Sequence, residues 1–452
     1  MAERRSKQKV DGPRLAALEV LKAVRVDEAY TNLVLPGVLA QHGLSGRDAA
    51  FVTELVSGTI RRQATYDAVL AACIDRPLAK VEAKVLDALR LGTHQLLSMR
   101  VPAHAAISTT VDLVRARVGA GAAGFANAVL RKVSARDLDG WVAAVAPDPA
   151  TDPRGHAVVA FSHPAWVVEE LARAVGEAEL PALLAADNEP PRVTLVARPG
   201  RATREELPGE PTPWSPHGVV LEGGDPGAVP AVAEGRAGVQ DEGSQLVAEV
   251  AAAAAVEGRD ERWLDLCAGP GGKSALLAAL AAGRGARLVA GERQAHRARL
   301  VARNLRGAAG VAGVLTADGT RPPFRAGTFD RVLVDAPCTG LGALRRRPEA
   351  RWRRRPADLT DLTRLQRALV DSALDLVRPG GAVLYATCSP VLAETADVVR
   401  DVLGARDDVR LEDASCLLPH VPDTAGPLEG TLQLWPHRHG TDAMFLALLR
   451  RT

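Results

Sequence analysis

Two short segments of this 452-residue chain end in a cysteine placed to do chemistry: Asp335-Ala336-Pro337-Cys338-Thr339-Gly340 and Tyr385-Ala386-Thr387-Cys388-Ser389-Pro390. Each follows an apolar run that reads as a buried strand, so each sets a thiol just past a strand end. Singly, either cysteine reads as a small buried hydrophobe. Together, with an acid three residues before Cys338, they suggest a thiol nucleophile and a second thiol. A free thiol with a pKa of ~8.5 is only slightly ionised at neutral pH, so such a site must lower that pKa or remove the proton. A two-cysteine metal site is disfavoured, because no histidine cluster completes a ligand set, and His437 and His439 read as turn residues.

A third segment, 264–274, runs Leu-Asp-Leu-Cys-Ala-Gly-Pro-Gly-Gly-Lys-Ser, a strand entering a glycine-rich turn and then a helix. Such turns let backbone amides approach a ligand, and the helix N-terminus favours negative charge. A Walker A loop would need Gly at 267, where Cys stands; the dinucleotide pattern G-x-G-x-x-G/A from Gly269 would need Gly or Ala at 274, where Ser stands. Neither a nucleoside triphosphate nor NAD is therefore favoured. Lys273 is the one lysine of the last 320 residues, in a chain with 7 Lys against 49 Arg, which suggests a site requiring a compact ammonium. The next strands end in acids: Glu292, Asp318 and Asp335. The first suits a ribose diol and the second an adenine amino group; a strand-end acid can equally cap the following helix. Three on consecutive strands favour a ligand site.

The Arg345–Arg355 run places Arg345, Arg346, Arg347, Arg351, Arg353, Arg354 and Arg355 within eleven residues. A charge run is usually a solvated face. Beside a candidate active site it suggests contacts to a phosphate backbone, with Trp352 as a stacking surface.

The elements that must position these groups follow from periodicity. Residues 13–135 show helical spacing of apolar residues, broken by Pro and Gly, and predict an all-α domain of six to eight helices. Residues 124–132 (GFANAVLRK) follow a glycine-rich loop and end basic. The first domain is set at 1–145, with a Pro/Asp/Gly-rich linker at 146–160. A small α+β subdomain, assigned to RNA binding, follows at 161–240, with a helix at 164–175, a strand at 192–197 and an irregular stretch at 199–230. From 241 to 452, strands at 263–266, 288–291, 313–316, 331–335 and 382–386 alternate with helices at 244–256, 273–282, 295–306, 361–377 and 393–404. This predicts an α/β fold with a mostly parallel sheet. Residues 431–450 predict an antiparallel hairpin at one edge.

Composition sets the outer bounds. At 47% hydrophobic and 24% charged residues the chain is globular rather than disordered. No apolar run reaches the length of a membrane span, and the basic residues 1–10 have no apolar stretch behind them, so no secretory signal is expected. Five cysteines without a C-x-x-C pair suit a reducing cytoplasm. Residues 1–145 carry 20 basic against 14 acidic residues and the remainder 36 against 40, which makes the first third compatible with nucleic acid.

LDLCAGPGGK, DAPCTG with the Arg-rich run behind it, YATCS and the upstream Gln240-Asp241-Glu242-Gly243-Ser244-Gln245 together resemble the RNA cytosine-5 methyltransferases of the NOL/NOP/Sun type over residues 160–452. The helical first 140 residues resemble a NusB-like RNA-binding domain, and the fusion resembles the bacterial Sun/Fmu (RsmB) group, which acts on 16S ribosomal RNA. The resemblance implies a Rossmann-like core. It implies that Cys267, Ala268, Gly269, Pro270, Gly271, Gly272 and Lys273 line an S-adenosylmethionine pocket. Glu292 would hold its ribose and Asp318 its adenine end, with Asp335 between cofactor and base. It implies Cys388 as the nucleophile and Cys338 as the thiol assisting product release. Glu292 departs from the family, which more often has Asp there. The expected partner is RNA, most of all 16S rRNA, with a monomeric protein, no membrane and no metal. Two other readings remain open: a DNA cytosine-5 methyltransferase, in which Cys338 would be the nucleophile, and a non-enzymatic NusB-like RNA-binding or antitermination factor.

Overall fold

The computed structural model describes residues 11–452; the basic residues 1–10 lie outside the described residues. The chain forms two units. One takes the chain up to Glu169 together with Asn188–Pro190 and Arg345–Arg353; the other takes Glu170–Asp187, Pro191–Leu344 and Arg354–Thr452.

The first unit is helical: α1 (Gly12–Val26), α2 (Thr31–Gln41), α3 (Gly46–Arg61), α4 (Gln63–Cys73), α5 (Ala83–Leu97), α6 (Ala103–Arg117), α7 (Ala120–Val133), α8 (Leu138–Val145) and α9 (Pro153–Ala160). The periodic apolar residues form its core, with Val20, Leu55, Leu70, Leu89 and Leu130 fully buried. The expected linker at 146–160 is only partly irregular. Its Pro and Asp punctuate a helix start: Pro153 opens α9 and the Asp152 side chain accepts from Gly155 N at 2.8 Å.

The Arg-rich run corrects the expectation most sharply. Residues 345–353 belong to this helical unit, with a short helix α16 at Ala350–Arg353. Arg351 is fully buried and donates to the Arg61 and Ser162 carbonyls and to Asn188 Oδ1, at 3.1, 3.0 and 2.9 Å. Arg345 is also buried. Arg353 donates to the Val24 and Ala29 carbonyls and lies 4.9 Å over the Tyr30 ring. Trp352 is half-buried, packs against the helical core and donates to the Ile60 carbonyl, which gives it a structural role. Buried helix ends and turns leave carbonyls that need donors, and a guanidinium with five N–H groups satisfies several at once. Arg345, Arg351 and Arg353 are therefore structural. Arg347 and Arg355 are exposed and Arg346 half-exposed.

The second unit begins within α10 (Ala165–Val175), followed by α11 (Leu180–Ala186). The single strand expected near 192–197 is one of four. β1 (Thr194–Ala197), β2 (Glu210–Pro211), β3 (Gly218–Val220) and, after α12 (Pro230–Ala233), β4 (Ala237–Val239) form an antiparallel sheet in the order β2-β3-β1-β4. Thus 199–230, expected to be irregular, supplies two short strands.

The large sheet takes β5 (Arg262–Asp265), β6 (Arg287–Glu292), β7 (Val311–Thr316), β8 (Phe329–Asp335), β9 (Val377–Thr387), β10 (Val409–Glu412), β11 (Leu432–Gln433) and β12 (Phe445–Arg451). Its order is β10-β12-β9-β8-β5-β6-β7, with β11 paired to β12. Around it lie α13 (Glu242–Ala253), α14 (Gly272–Gly283), α15 (Ala295–Asn304), α17 (Pro356–Leu376), α18 (Ala396–Ala405) and the single turn α19 (Pro436–His439). β7, β6, β5, β8 and β9 are parallel, while β12 is antiparallel to β9. Apolar side chains on both faces bury the sheet, as a parallel sheet requires. The C-terminal hairpin forms, but not at an edge: β12 lies inside the sheet, and β10 takes the edge. The chain runs outward from β5 through β6 to β7 and returns to β8 on the other side of β5. The crevice beyond the carboxyl ends of β5 and β8 is the topological switch point where ligands bind in such sheets.

Candidate active site

Three loops meet at that switch point. β8 and β9 run side by side with Asp335 opposite Ala386, and Ala336 N donates to the Ala386 carbonyl at 2.9 Å. Cys338 lies three residues past Asp335 and Cys388 two past Ala386, so both emerge at the same end. Their sulfurs are 3.4 Å apart. Gly342 donates to the Cys388 carbonyl at 2.9 Å; a Cβ there would run into that carbonyl and the Ala443 carbonyl, so only glycine permits this approach.

Lys273, in the first turn of α14, reaches Asp335 Oδ2 at 2.9 Å. Burial alone would lower the Lys273 pKa, but the Asp335 carboxylate, followed by the charge on Cys388, outweighs it and holds the pKa raised. The ammonium is therefore a fixed cation facing both Asp335 and Cys388. The neighbouring Cys388 sulfur, together with burial, pushes the Cys338 thiol well up. Cys338 thus remains a neutral S–H able to donate to Cys388. A third cysteine, Cys267, is half-buried and pushed well up by burial and by the carboxylates of Asp265, Asp335 and Glu292, which makes it a thiol rather than a nucleophile.

The glycine turn follows β5. A Cβ at Gly269 would meet Glu292 Oε2, so a side chain there would have to push the Glu292 carboxylate aside. Arg297 donates to the Gly269 carbonyl at 2.6 Å and Asn304 to the Pro270 carbonyl at 2.8 Å. These bonds hold the turn from its carbonyl side. Glu292 Oε1 accepts from Gln294 N at 2.9 Å, and Asp318 Oδ1 from Thr320 N and Oγ1 at 2.9 and 2.8 Å. The strand-end acids therefore do cap local turns, each through one oxygen. The Asp318 pKa is lowered, chiefly by the Thr320 backbone bond.

Several site residues escaped the sequence reading. Asp265, fully buried at the end of β5, accepts from Ser274 Oγ at 2.6 Å, and burial raises its pKa to about 7. It is a fourth strand-end acid, and its place inside the LDLCAGPGGK segment was the available signal. Glu394 is fully buried and accepts from Thr339 N, Thr339 Oγ1 and Gln366 Nε2 at 2.8, 2.5 and 3.0 Å. Gln366 also donates to the Pro337 carbonyl at 2.9 Å. The neighbours of Cys338 are thus clamped on both sides, by residues that no motif marks. Arg354, expected on a phosphate, instead donates to the Thr339 and Cys338 carbonyls at 3.1 and 3.3 Å. His439 is structural, its ring bonded to Trp435 N and the Pro422 carbonyl. Among the described residues, no group of three or more His, Cys, Asp or Glu side chains is placed to hold a metal ion, and no helix is long and apolar enough to cross a membrane.

Paired thiols, a glycine turn and strand-end acids at one switch point can be set against known proteins. Residues 254–450 match the family of 16S rRNA methyltransferases RsmB/F, and residues 11–135 match the NusB family. Ribosomal RNA small subunit methyltransferase B of Pseudomonas putida is 32% identical, across 90% of this chain and 93% of its own length. The chain belongs to the RsmB/F family. It is an RNA methyltransferase of the RsmB/Sun type with a NusB-like helical region. The methyltransferase-named Rv1407 protein of Mycobacterium tuberculosis is 53% identical over 98% of this chain and 97% of its own. Among solved structures, the crystal structure of PH0851 shares the fold with a TM-score of 0.77, at 23% identity, over 99% of this chain and all of that one.

Proposed function

We propose that this enzyme transfers a methyl group from S-adenosylmethionine to C5 of a cytosine in ribosomal RNA, most specifically 16S rRNA, through a transient bond between Cys388 and C6. The observation that carries the reading is the 3.4 Å approach of the Cys338 and Cys388 sulfurs beside the Lys273–Asp335 ion pair.

The turn and acids fit the cofactor. The backbone of 267–272, with Gly269 packed against the Glu292 carboxylate, would hold it with Glu292 and Asp318. When bound, S-adenosylmethionine supplies a methyl group on a positively charged sulfur. The residues of this chain do the rest. C5 of cytosine is a poor nucleophile. Lys273 stabilises the Cys388 thiolate, and Cys338 donates its S–H to it. Addition of the Cys388 sulfur to C6 gives C5 enamine character, so that C5 can take the methyl. Asp335 keeps Oδ2 on Lys273 and has Oδ1 for the cytosine N3 and N4 edge; as Cys388 adds, N3 takes a proton from solvent, the carboxylate accepts from the resulting N3–H and N4–H, and N3 returns that proton to solvent when the adduct collapses. Cys338, once its own proton has passed to solvent water, takes the C5 proton. The electrons of that C–H bond restore the C5–C6 double bond and expel Cys388 as a thiolate. The target base must be unstacked, at a cost of about a few kcal/mol. The exposed Arg347 and Arg355, the helical unit and the small β1–β4 subdomain would supply backbone contacts that offset it. Action on rRNA places the enzyme in the cytoplasm.

The test is denaturing electrophoresis of enzyme incubated with rRNA and cofactor. Cys338→Ser should accumulate a covalent protein–RNA band and Cys388→Ser should give none. The reverse pattern would exchange the two roles. No adduct from either variant, with wild-type methylation intact, would sink the covalent route. Bisulfite sequencing of rRNA from a deletion strain identifies the cytosine.

A further inference from the structure

One fully buried acid, Glu394, has no part in the reaction as written. It ends the turn Leu392–Glu394 ahead of α18. A carboxylate out of water is costly unless its oxygens are hydrogen-bonded. Here Oε1 accepts from Thr339 N at 2.8 Å and Gln366 Nε2 at 3.0 Å, and Oε2 accepts from Thr339 Oγ1 at 2.5 Å. The Glu394 carbonyl accepts from Tyr385 Oη at 2.6 Å. Tyr385 stands on β9, three residues before Cys388. Glu394 is thus fixed to the strand that carries Cys388 while it grips the residue that follows Cys338. A second hydroxyl closes the link. Thr339 Oγ1 lies 3.1 Å from Ser389 Oγ. Thr339 gives its one hydroxyl proton to the carboxylate, so its oxygen accepts from Ser389. The Ser389 oxygen in turn accepts from Val391 N at 3.3 Å. Thr339 and Ser389 directly follow the two cysteines, and both are buried. The chain Ser389–Thr339–Glu394 therefore ties the two cysteine loops together one residue past each sulfur.

We infer that Glu394 is a positioning residue for product release: through Thr339 and Ser389 it holds the Cys338 sulfur where it reaches the C5 proton of the adduct. C5 and C6 are neighbouring ring atoms. Once Cys388 is bonded to C6, the group that takes the C5 proton must stand beside it, so the separation of the two sulfurs, 3.4 Å here, decides whether release can proceed. A misplacement of about 1 Å can cost about 100-fold in rate. Attack on C6 depends on Cys388 and Lys273, and methyl transfer on C5 and the cofactor. Loosening the tie should therefore slow release far more than adduct formation. The inference rests on the covalent reading above and assigns its last step a residue that acts through others.

The test uses the full chain and three variants. Glu394→Gln removes the charge and one accepting oxygen. Thr339→Val replaces the hydroxyl with a methyl group of similar shape, and Thr339→Ser keeps the hydroxyl. Rapid-quench reactions with a labelled 16S rRNA transcript and S-adenosylmethionine follow the growth and the decay of the covalent protein–RNA band separately. Glu394→Gln and Thr339→Val should form the band within about threefold of the wild-type rate and lose it about tenfold or more slowly, so that it accumulates. Thr339→Ser should restore decay to within about threefold of wild type. The two Thr339 variants differ too little in size to unfold the chain, so their comparison decides the matter even if Glu394→Gln does not fold. Wild-type decay in Thr339→Val would overturn the inference. Formation slowed as much as decay would make the tie a folding element and overturn it equally. A wild-type chain that gives no covalent band would instead sink the covalent reading on which it rests.

Discussion

Replacing Asp265 with Asn should change how the stability of the catalytic unit depends on pH. Asp265 is fully buried beneath the glycine turn, and burial, with the nearby Asp335 charge, raises its pKa from 3.8 to about 7 despite the Ser274 bond and Lys273. The folded state thus holds a proton that the unfolded chain releases near pH 4. The stability this gives is fully present below pH 3.8 and is lost as pH rises through about 7. At about 1.4 kcal/mol per pH unit, the whole interval is worth about 4 kcal/mol, and the stretch from pH 5.5 to 7 about 2 kcal/mol. Asn resembles the protonated carboxyl in shape and has no proton to lose. The variant should therefore gain on wild type by about 2 kcal/mol between pH 5.5 and 8.5, with most of the change below 7. Hydrogen exchange of β5 and β8 amides, read by mass spectrometry across that range, measures this within the catalytic unit. A difference between variant and wild type that stays flat with pH would show Asp265 ionised throughout and refute the argument. A rising difference would leave the Lys273 ammonium to Asp335 and Cys388, as the mechanism requires.

Other consequences can be checked alongside. Arg351→Ala leaves the Arg61 and Ser162 carbonyls and Asn188 Oδ1 without a donor. It should destabilise the helical unit by about 3 kcal/mol or more, while Arg355→Ala on the exposed side stays within about 0.5 kcal/mol in thermal unfolding. Gly269→Ala forces a methyl group into Glu292 Oε2; calorimetry should show S-adenosylmethionine affinity down by tenfold or more, about 1.4 kcal/mol. Because burial adds to the raised pKa of Cys338, its thiolate is scarce at neutral pH. Decay of the wild-type protein–RNA adduct in rapid-quench experiments should quicken as pH rises from 7 to 9, and a pH-independent decay would remove Cys338 as the base.

Much of the candidate site was readable before any fold was known, because its signals are local. A strand, a glycine turn and a helix start fit within 264–274, and a cysteine directly after an apolar run fixes which end of a strand it occupies. Helical spacing in 13–135 and strand–helix alternation after 241 likewise follow from side-chain periodicities of 3.6 and 2. What the sequence could not determine depends on partners far along the chain. Arg351 is bonded to residues 290, 189 and 163 positions away, so a run that looks solvated became part of a helical core. The clamp on Thr339 comes from Glu394, 55 residues on, and the cation facing Cys388 is paired with an acid 62 residues beyond it. Local sequence sets which dihedrals and faces a segment prefers. The position of a buried charge depends on which carbonyls and carboxylates the packed chain leaves without donors, and only the tertiary structure determines those.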